Sequence, residues 1–418
     1  MSFQQGLSGL NGAAKSLDVI GNNIANASTV GFKGSQAQFA DVYANSLNGV
    51  SSNLAGIGVK VAQIAQQFTQ GNIESSSNPL DIAINGGGFF RTEINGGVQY
   101  SRNGQFGLDK EGFIINAQGA KLTGFQADAT GNILASSPTP LRIDNSDLKP
   151  LPTTNIVAML NLDSRLAPPA NSPFSATDPQ SFNNQTSIDI YDSLGNSHVL
   201  STFYVKQAQA TGATTTSWDL YASIDGVVQG GTAAPTQLGP LVFDQNGALD
   251  AASPLPGAYP VTFSPANGAV PTQQITTNYA GTTQYGAANS EKASSQNGYT
   301  AGQLTRFSAG PDGVILAQYS NGQSHNLGQI ALANFANPNG LTPLGNNAWT
   351  ATSVSGVPLV GTPNSGRFGV LQSSSVESSN VDLTAELVNM ITAQRVYQAN
   401  AQTIKTQDSV LQTLVNLR

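Results

Sequence analysis

The chain has 418 residues, of which 24 are acidic and 17 are basic, so its formal net charge is −7. It contains no cysteine, which excludes disulfide scaffolds, thiol catalysis and cysteine-ligated metal centres. Only 10% of the residues are charged, against roughly 25% in ordinary soluble domains, and no Lys/Arg cluster offers a surface to phosphate. With only two histidines as well, we expect no nucleic-acid partner and no catalytic, cofactor-binding or metal-binding residues.

The negative charge is concentrated in the middle of the chain. Residues 151–290 carry eight acidic and two basic side chains, a net of −6, which leaves −1 for the two flanks together. We expect this segment to be the more solvated part of the protein. No basic and apolar leader stands at the N-terminus, and no run of about 18 apolar residues occurs. This pattern predicts no membrane insertion, and export, if it occurs, without a cleaved signal peptide.

The first segment predicts a helix that starts at Ser2 and ends in the turn-forming residues 26–31. Its apolar residues recur at the four-three spacing of a heptad seam. The predicted seam consists of Phe3, Leu7, Leu10, Ala14, Leu17, Ile20 and Ile24. Four glycines in this stretch each cost about 1 kcal/mol relative to alanine in a helix interior. The helix therefore needs support from outside the segment.

The last segment predicts a second, longer helix. It follows a polar run, with Asn380 or Asp382 as N-cap, and continues to Arg418 without glycine or proline. A helix of about 35 residues spans roughly 50 Å. Its predicted seam consists of Leu383, Leu387, Met390, Tyr397, Ile404, Leu411 and Leu414.

Almost everything between the two helices reads as β-structure. Short alternating or aromatic-rich runs are separated by turn signals about every ten residues. Four turns share an Asp that caps the turn and a Gly that takes a positive φ; they end at Gly112, Gly131, Gly247 and Gly313. Residues 167–179, 230–240 and 251–272 are rich in Ala, Pro, Thr and Gly, and we predict them to be long surface loops of an inserted β domain.

Three patterns resemble sites, and each favours a structural interpretation. Gly86, Gly87 and Gly88 lead into a strand-like run, whereas a phosphate-binding loop should open a helix. The Asp and Gly turns lack the alternating acids and the bidentate Glu of calcium loops. His198 lies near Asp192 in sequence, but no nucleophile elbow accompanies it.

Neither terminal helix can be stable alone. Burying the six large apolar residues of the first helix contributes about 12 kcal/mol, whereas ordering its roughly 24 residues costs at least about 24 kcal/mol. The other terminal helix is the natural partner, and a pair still leaves apolar surface exposed. Three arrangements remain open at this point: a coiled coil that closes a monomer, a dimer zipper, and a head-to-tail contact that repeats into a ring or a helical polymer.

The same residues carry a resemblance to a known family. Residues 17–43, which read LDVIGNNIANASTVGFKGSQAQFADVY, and residues 379–417 resemble the terminal signatures of the bacterial flagellar rod, hook and hook-associated axial proteins. NPLDIAINGGGFF (78–90) and residues 100–126 resemble the first β domain of the rod and hook branch. Within the motifs we single out Asn22, Asn23 and Asn26, whose amides cap the helix end or bond across subunits, and Gly31, Phe32 and Lys33, which resemble a sharp turn.

The segments between these motifs favour the hook branch, because rod proteins are much shorter and lack a large inserted second β domain. IYDSLGNSH (190–198) and residues 307–349 also resemble the hook branch. The resemblance implies a mainly β fold with α-helical termini and discontinuous domains. Paired helices (1–27 and 380–418) form a coiled-coil-like inner tube domain. A connecting region (28–71 and 366–379), a first β domain (72–145 and 297–365) and a stacked outer β domain (146–296) follow.

The resemblance also implies the function. Subunits of this branch polymerise into a curved hollow tube that acts as a universal joint, transmits motor torque from rod to filament and serves as an export channel. The implied partners are further copies of the chain, the distal rod protein, the hook cap, the hook–filament junction proteins and the flagellar type III export apparatus. A distal rod or junction protein remains an alternative, as does a secreted β-rich adhesin or surface-layer protein. The implied location is extracellular, in the flagellum.

Overall fold

The computed structural model describes residues 2–42, 56, 58–128, 130–144, 146–231, 234–250, 253 and 259–416. Two long helices lie at the ends of the chain and short strands occupy the part between them, which confirms the predicted fold class. The chain forms two compact units, the first from residues 1–145, 305–318 and 324–418, and the second from residues 146–304 and 319–323. Within the described residues, no helix has the length and apolar character needed to cross a membrane.

The helices are α1, Ser2–Ala25, and α2, Leu383–Asn416. Both agree with the predicted segments, although the predicted end at Arg418 lies outside the described residues. Asp382, one of the two candidate N-caps, caps α2: its Oδ1 accepts from the backbone N–H groups of Thr384 at 2.9 Å and Ala385 at 3.1 Å.

The strands follow in chain order. Before the second unit they are β1 Ser35–Val42, β2 Gly58–Gln66, β3 Ile73–Ser75, β4 Ile82–Asn85, β5 Phe89–Ile94, β6 Gly97–Ser101, β7 Phe106–Leu108, β8 Ile114–Asn116, β9 Lys121–Gln126 and β10 Thr139–Pro140. The second unit contains β11 Asn155–Asn161, β12 Asn184–Tyr191, β13 Ser197–Lys206, β14 Thr216–Ile224, β15 Val227–Val228, β16 Gln237–Phe243, β17 Tyr259–Phe263, β18 Gln273–Asn278 and β19 Ser290–Gln296. The chain then adds β20 Leu304–Ala309, β21 Val314–Tyr319, β22 Ser324–Ile330, β23 Leu332–Asn334, β24 Thr342–Gly345, β25 Ala348–Thr350, β26 Leu359–Gly361, β27 Val370–Ser373 and β28 Ser375–Glu377.

The first unit contains a large sheet with the strand order β20-β21-β22-β9-β5-β6-β25-β24. Its aromatic core includes Phe89, Phe335 and Trp349. Phe68, just after β2, packs edge-on against both Phe89 and Trp349 with ring centroids 5.5 Å apart. Trp349 also donates its indole N–H to Gln66 Oε1 at 2.6 Å. The segment that leads away from the helices is therefore anchored in the β core.

The second unit is a β-sandwich. A four-stranded sheet, β17-β18-β11-β19, and a five-stranded sheet formed by β12 to β16 share one apolar cluster. Ile156 and Ile275 from the first sheet pack with Ile190, Leu200 and Ile224 from the second, and all five are buried. Alternating apolar residues along the strands produce this shared core.

The predicted Asp and Gly turns are confirmed, because Gly112, Gly131, Gly247 and Gly313 all have φ between 74° and 85°. The predicted long loop at 251–272 is wrong in part, since it contains β17, and the loop predicted at 230–240 gives way to β16 at Gln237. Tyr259, Val261 and Phe263 alternate with exposed residues and are buried. The Ala, Pro, Thr and Gly content of 251–272 suggested a loop, but β17 is an edge strand, where Pro260 is tolerated.

Candidate assembly interface on the terminal helices

Helices α1 and α2 pack antiparallel through small residues. A Cβ placed on Gly6 would lie 3.1 Å from Ile404 Cγ1, and one placed on Gly9 would lie 2.8 Å from Asn400 Oδ1. Further along the pair, Ala13 and Ala393 are both buried. The glycines that weaken the intrinsic helicity of α1 therefore allow the two backbones to approach closely.

Most residues of the predicted seam of α1 are not buried in the close contact between α1 and α2. Ile20 is buried, whereas Leu10, Ala14, Leu17 and Ile24 are half-buried. Phe3 and Leu7 are exposed, at 47% and 44%. Large apolar residues define the heptad spacing, but the close contact uses the neighbouring stripe of small residues.

The predicted seam of α2 is still more exposed. Met390 and Ile404 are half-buried, and the side chain of Leu414 lies outside the described residues. The other four predicted seam residues are exposed: Leu383, Leu387, Tyr397 and Leu411. Among the described side chains of α2, only that of Ala393 is buried. A single α1 partner thus covers little of a 34-residue helix.

The three asparagines of the N-terminal motif bond within the chain. Asn26 donates its side-chain N–H to the Asn22 carbonyl at 2.9 Å and stabilises the end of α1. Asn23 is buried, accepts from the Ser35 N–H at 2.9 Å and donates to the Ser35 carbonyl at 2.8 Å. It also donates to Glu386 Oε1 on α2 at 3.2 Å. Asn23 therefore ties α1 to both β1 and α2.

Gly31 and Phe32 form the predicted sharp turn. Gly31 has φ +71°, and a Cβ there would lie 2.5 Å from the backbone nitrogen of Asn103, so only glycine fits. The N–H of Gly31 donates to the Glu377 carbonyl at 2.8 Å. Phe32 is half-buried, and its N–H donates to the Thr29 carbonyl at 3.2 Å.

Lys33 has a role that the sequence did not reveal. Its Nζ donates to Glu377 Oε1 at 2.6 Å and to the Thr69 carbonyl at 2.7 Å. Arg102 donates from Nη1 to Glu377 Oε2 at 3.2 Å, and Gly71 donates its N–H to Oε1 at 2.9 Å. We call Lys33, Arg102 and Glu377 the buried ion cluster, because their side chains are at most 5% exposed.

Burial dominates the electrostatics of the buried ion cluster. Desolvation lowers the pKa of Lys33 below its usual value, although the adjacent Glu377 carboxylate opposes the shift. Desolvation also lowers the pKa of Arg102, again against Glu377. Lys33 and Arg102 thus share the Glu377 carboxylate in a buried site, and both depend on it to neutralise their charge. The sequence could not signal this cluster, since 344 positions separate Lys33 from Glu377.

Asn380 joins the same junction instead of capping α2. Its Oδ1 accepts from the Gly34 N–H at 2.8 Å, and its Nδ2 donates to the Gln67 carbonyl at 2.7 Å and to Thr69 Oγ1 at 2.9 Å. The residues that precede α2 are thereby hydrogen-bonded both to the segment between α1 and β1 and to the segment that follows β2.

The patterns that resembled other sites have structural roles in this fold. Gly86 and Gly88 have φ of 114° and 119° and lead into β5 rather than into a helix. His198 Nδ1 lies 2.6 Å from Asp225 Oδ2, and its Nε2 lies 3.4 Å from Asp192 Oδ2. The imidazole therefore bridges two carboxylates at hairpin turns.

Four family models match the chain. The flagella basal body rod protein model matches residues 3–33, and the flagellar hook protein FlgE/F/G D1 domain matches residues 83–149. The flagellar basal body protein FlaE D2 domain matches residues 161–299, and the flagellar basal body rod FlgEFG protein C-terminal model matches residues 372–417.

Whole proteins match as well. The flagellar hook proteins FlgE of Salmonella typhimurium and Escherichia coli are each 44% identical to this chain over 100% of both chains. The FlgE of Borreliella burgdorferi is 34% identical over 100% of this chain and 99% of its own. The crystal structure of Helicobacter pylori FlgE2 has 14% identity and a TM-score of 0.54, and covers 73% of this chain and 100% of that one, which supports the fold.

Paired terminal helices joined to a β body, together with the rod-type models at both ends, define a structural axial protein of the bacterial flagellum. The full-length matches are more specific, because they extend through the second unit. The chain belongs to the flagellar hook protein (FlgE) family and is a subunit of the flagellar hook.

Proposed function

We propose that this hook subunit polymerises through its terminal helices into a curved hollow tube. The observation that carries the proposal is the apolar surface that α1 and α2 leave uncovered after they pair. Ten large apolar side chains on the two helices are between 37% and 58% exposed: Phe3, Leu7, Leu383, Leu387, Val388, Ile391, Val396, Tyr397, Val410 and Leu411. Eight of the ten lie on α2 and are spread along its length, so we expect more than one neighbour to cover them.

The energy available from this surface is large enough for assembly. Burying the exposed half of a Leu or Ile side chain contributes about 1 kcal/mol, so ten such residues supply on the order of 10 kcal/mol per subunit. We take the contacts to be head-to-tail, joining different surfaces of neighbouring copies. Repeated head-to-tail contacts generate a helical polymer.

In this proposal the helices form the inner wall of the tube and the β units form its outer layers. The inner wall bears motor torque and encloses the export channel, while the outer layers slide as the tube bends. A chain with only 10% charged residues suits sliding, since polar contacts between small side chains exchange without breaking ion pairs.

The proposed location is extracellular, in the flagellum, after export without a cleaved signal peptide. At its two ends the tube meets the distal rod protein and the hook–filament junction proteins. The hook cap assists growth, and the flagellar type III export apparatus delivers subunits. No cofactor or metal enters the mechanism, and no enzymatic step is involved.

Deletion of residues 387–418 tests the proposal. It removes most of α2 and nothing from the second unit. We expect no tubes in electron micrographs of the concentrated deletion protein, a retained cooperative melting transition of the second unit, and curved tubes from the full chain. Tubes of normal length from the deletion protein would overturn the proposal.

A further inference from the structure

Met390 lies on the side of α2 where large apolar residues are exposed. Leu383 precedes it by seven residues, Leu387 by three, and Tyr397 follows it by seven, so all four project from one side of the helix. Leu383, Leu387 and Tyr397 are exposed, and Met390 is half-buried. We call these four residues the methionine face. In the proposed function, the three neighbours of Met390 belong to the apolar surface through which the tube assembles.

The methionine face is separate from the groove beside the helix pair. This groove, with a volume of about 960 Å³, lies between the helices and strands β1 and β2; its described walls include Asn389 and Val396 but no member of the methionine face. Ala393, three residues after Met390, is buried in the helix pair, whereas Leu387, three residues before it, is exposed. Met390 therefore lies at the border between the contact with α1 and the exposed side of α2, which accounts for its half-burial.

The chain has three methionines, and the other two do not lie on this face. Met1 lies outside the described residues. Met159 lies on β11 in the second unit, and a Cβ placed on Gly281 would lie 2.8 Å from its Cε and 3.4 Å from its Sδ. The thioether of Met159 is therefore packed against its own unit. Among the described residues, Met390 is the only methionine on the terminal helices.

A thioether suits an apolar contact, and its sulfoxide does not. Methionine is flexible and polarizable, so it fills irregular space between packed side chains. Oxidation adds one oxygen atom to the sulfur and makes the side chain polar, which disrupts interfaces that contain methionine. In the free subunit this oxygen is hydrated, whereas a neighbouring copy packed on the methionine face removes its hydration. The cost in free energy therefore falls mainly on assembly and not on the fold of the subunit.

We propose that Met390 is a site of oxidation by hydroperoxides, open in the free subunit and closed in the tube, and that its sulfoxide prevents polymerisation. This inference rests on the proposed function and adds a chemical control to it. The sulfur attacks one oxygen of the hydroperoxide, and a sulfur–oxygen bond forms as the oxygen–oxygen bond breaks. The sulfur loses two electrons. The other oxygen takes the hydroxyl proton and, when the oxidant is hydrogen peroxide, leaves as water.

Treatment of the monomer with hydrogen peroxide, below the critical concentration for tube formation, tests this inference. Excess peroxide is destroyed, oxidation of each methionine is read from peptide masses, and the critical concentration is measured by sedimentation. Met390→Leu removes the proposed site, Met159→Leu is the matched control, and each protein is compared with its own untreated sample. We expect peroxide to raise the critical concentration at least about fivefold in the unaltered chain and in Met159→Leu, and less than about twofold in Met390→Leu. Methionine sulfoxide reductases for both sulfoxide epimers should restore assembly.

A second measurement compares the oxidation of Met390 in monomers and in tubes. We expect it to be at least about tenfold slower in tubes, because a neighbouring copy covers the methionine face. Equal rates, resistance of Met390 to peroxide in the monomer, normal assembly of subunits oxidised at Met390, or an equal loss of assembly in Met390→Leu overturn the inference and leave helix-driven polymerisation intact. Failure of the untreated, unaltered chain to form tubes overturns the proposed function itself.

Discussion

Replacing Glu377 with glutamine removes the only negative charge of the buried ion cluster. Glu377 accepts from Lys33 at 2.6 Å, from Gly71 at 2.9 Å and from Arg102 at 3.2 Å, and its side chain is 0% exposed. Breaking a buried ion pair by removal of one partner costs about 3–5 kcal/mol. For a unit of about 250 residues, 1 kcal/mol shifts Tm by about 2–4 °C, so we expect a decrease of about 10 °C.

Calorimetry of the monomer at low concentration measures this shift. Glu377→Gln should lower the transition of the first unit and leave that of the second unit unchanged. Glu74→Gln, at an exposed position on β3, is the matched control and should shift neither. A Tm within about 2 °C of the unaltered chain would refute the assignment of Glu377 as the support of the cluster.

The same variant has a predictable pH dependence. Burial already lowers the folded-state pKa of Lys33, and loss of the Glu377 carboxylate lowers it further. The unfolded chain then binds more protons than the folded one below the usual lysine pKa of 10.5, so stability rises with pH. We expect the deficit of Glu377→Gln relative to the unaltered chain to shrink between pH 7 and pH 10. A deficit that grows over this range would contradict the account.

Three further outcomes are expected. Gly9→Leu should lower the Tm of the first unit because it forces α1 and α2 apart, whereas Gly21→Leu, where nothing lies within 4 Å of the added Cβ, should raise stability by about 0.8 kcal/mol in the same melting assay. Leu387→Asp should raise the critical concentration for tube formation at least tenfold by sedimentation, because the part of Leu387 that is exposed in the monomer, 40%, would be covered in tubes; unchanged sedimentation would argue against the assembly surface. The side-chain hydrogen bond from Arg165 lowers the pKa of Asp163 to about 2, below the unfolded value of 3.8, so the stabilisation is complete above about pH 4 and is lost as the pH falls to 2; Asp163→Asn should flatten this acid limb in the melting of the second unit.

The existence of both terminal helices could be predicted from sequence, because periodic apolar residues and cap signals are local. The side of each helix that makes the close contact could not. Heptad spacing points to the large residues Phe3, Leu7 and Leu10, whereas the contact depends on how nearly two backbones approach, which Gly6 and Gly9 determine. Glycine in a helix carries no periodic apolar signal, so sequence reasoning counted it only as a loss of helicity.

The contacts that join the helices to the β-strands are harder still to predict from the sequence. Lys33 was singled out by its motif, but its partner Glu377 is a single acid within a polar run some 340 residues later. A buried ion pair depends on the tertiary fold, and no local spacing encodes it. Strand β17 is a different case: Tyr259, Val261 and Phe263 alternate in the sequence, but the Ala, Pro, Thr and Gly content of the surrounding segment pointed to a loop.

Hydrogen exchange of α2 in the monomer and in assembled tubes tests most directly the claim that the terminal helices gain their order from neighbouring copies. We expect amides of residues 405–413 to exchange at nearly unprotected rates in the monomer, because their side chains are almost all exposed, and at least about 100-fold more slowly in tubes. Equal protection of this segment in monomer and tube would contradict the account.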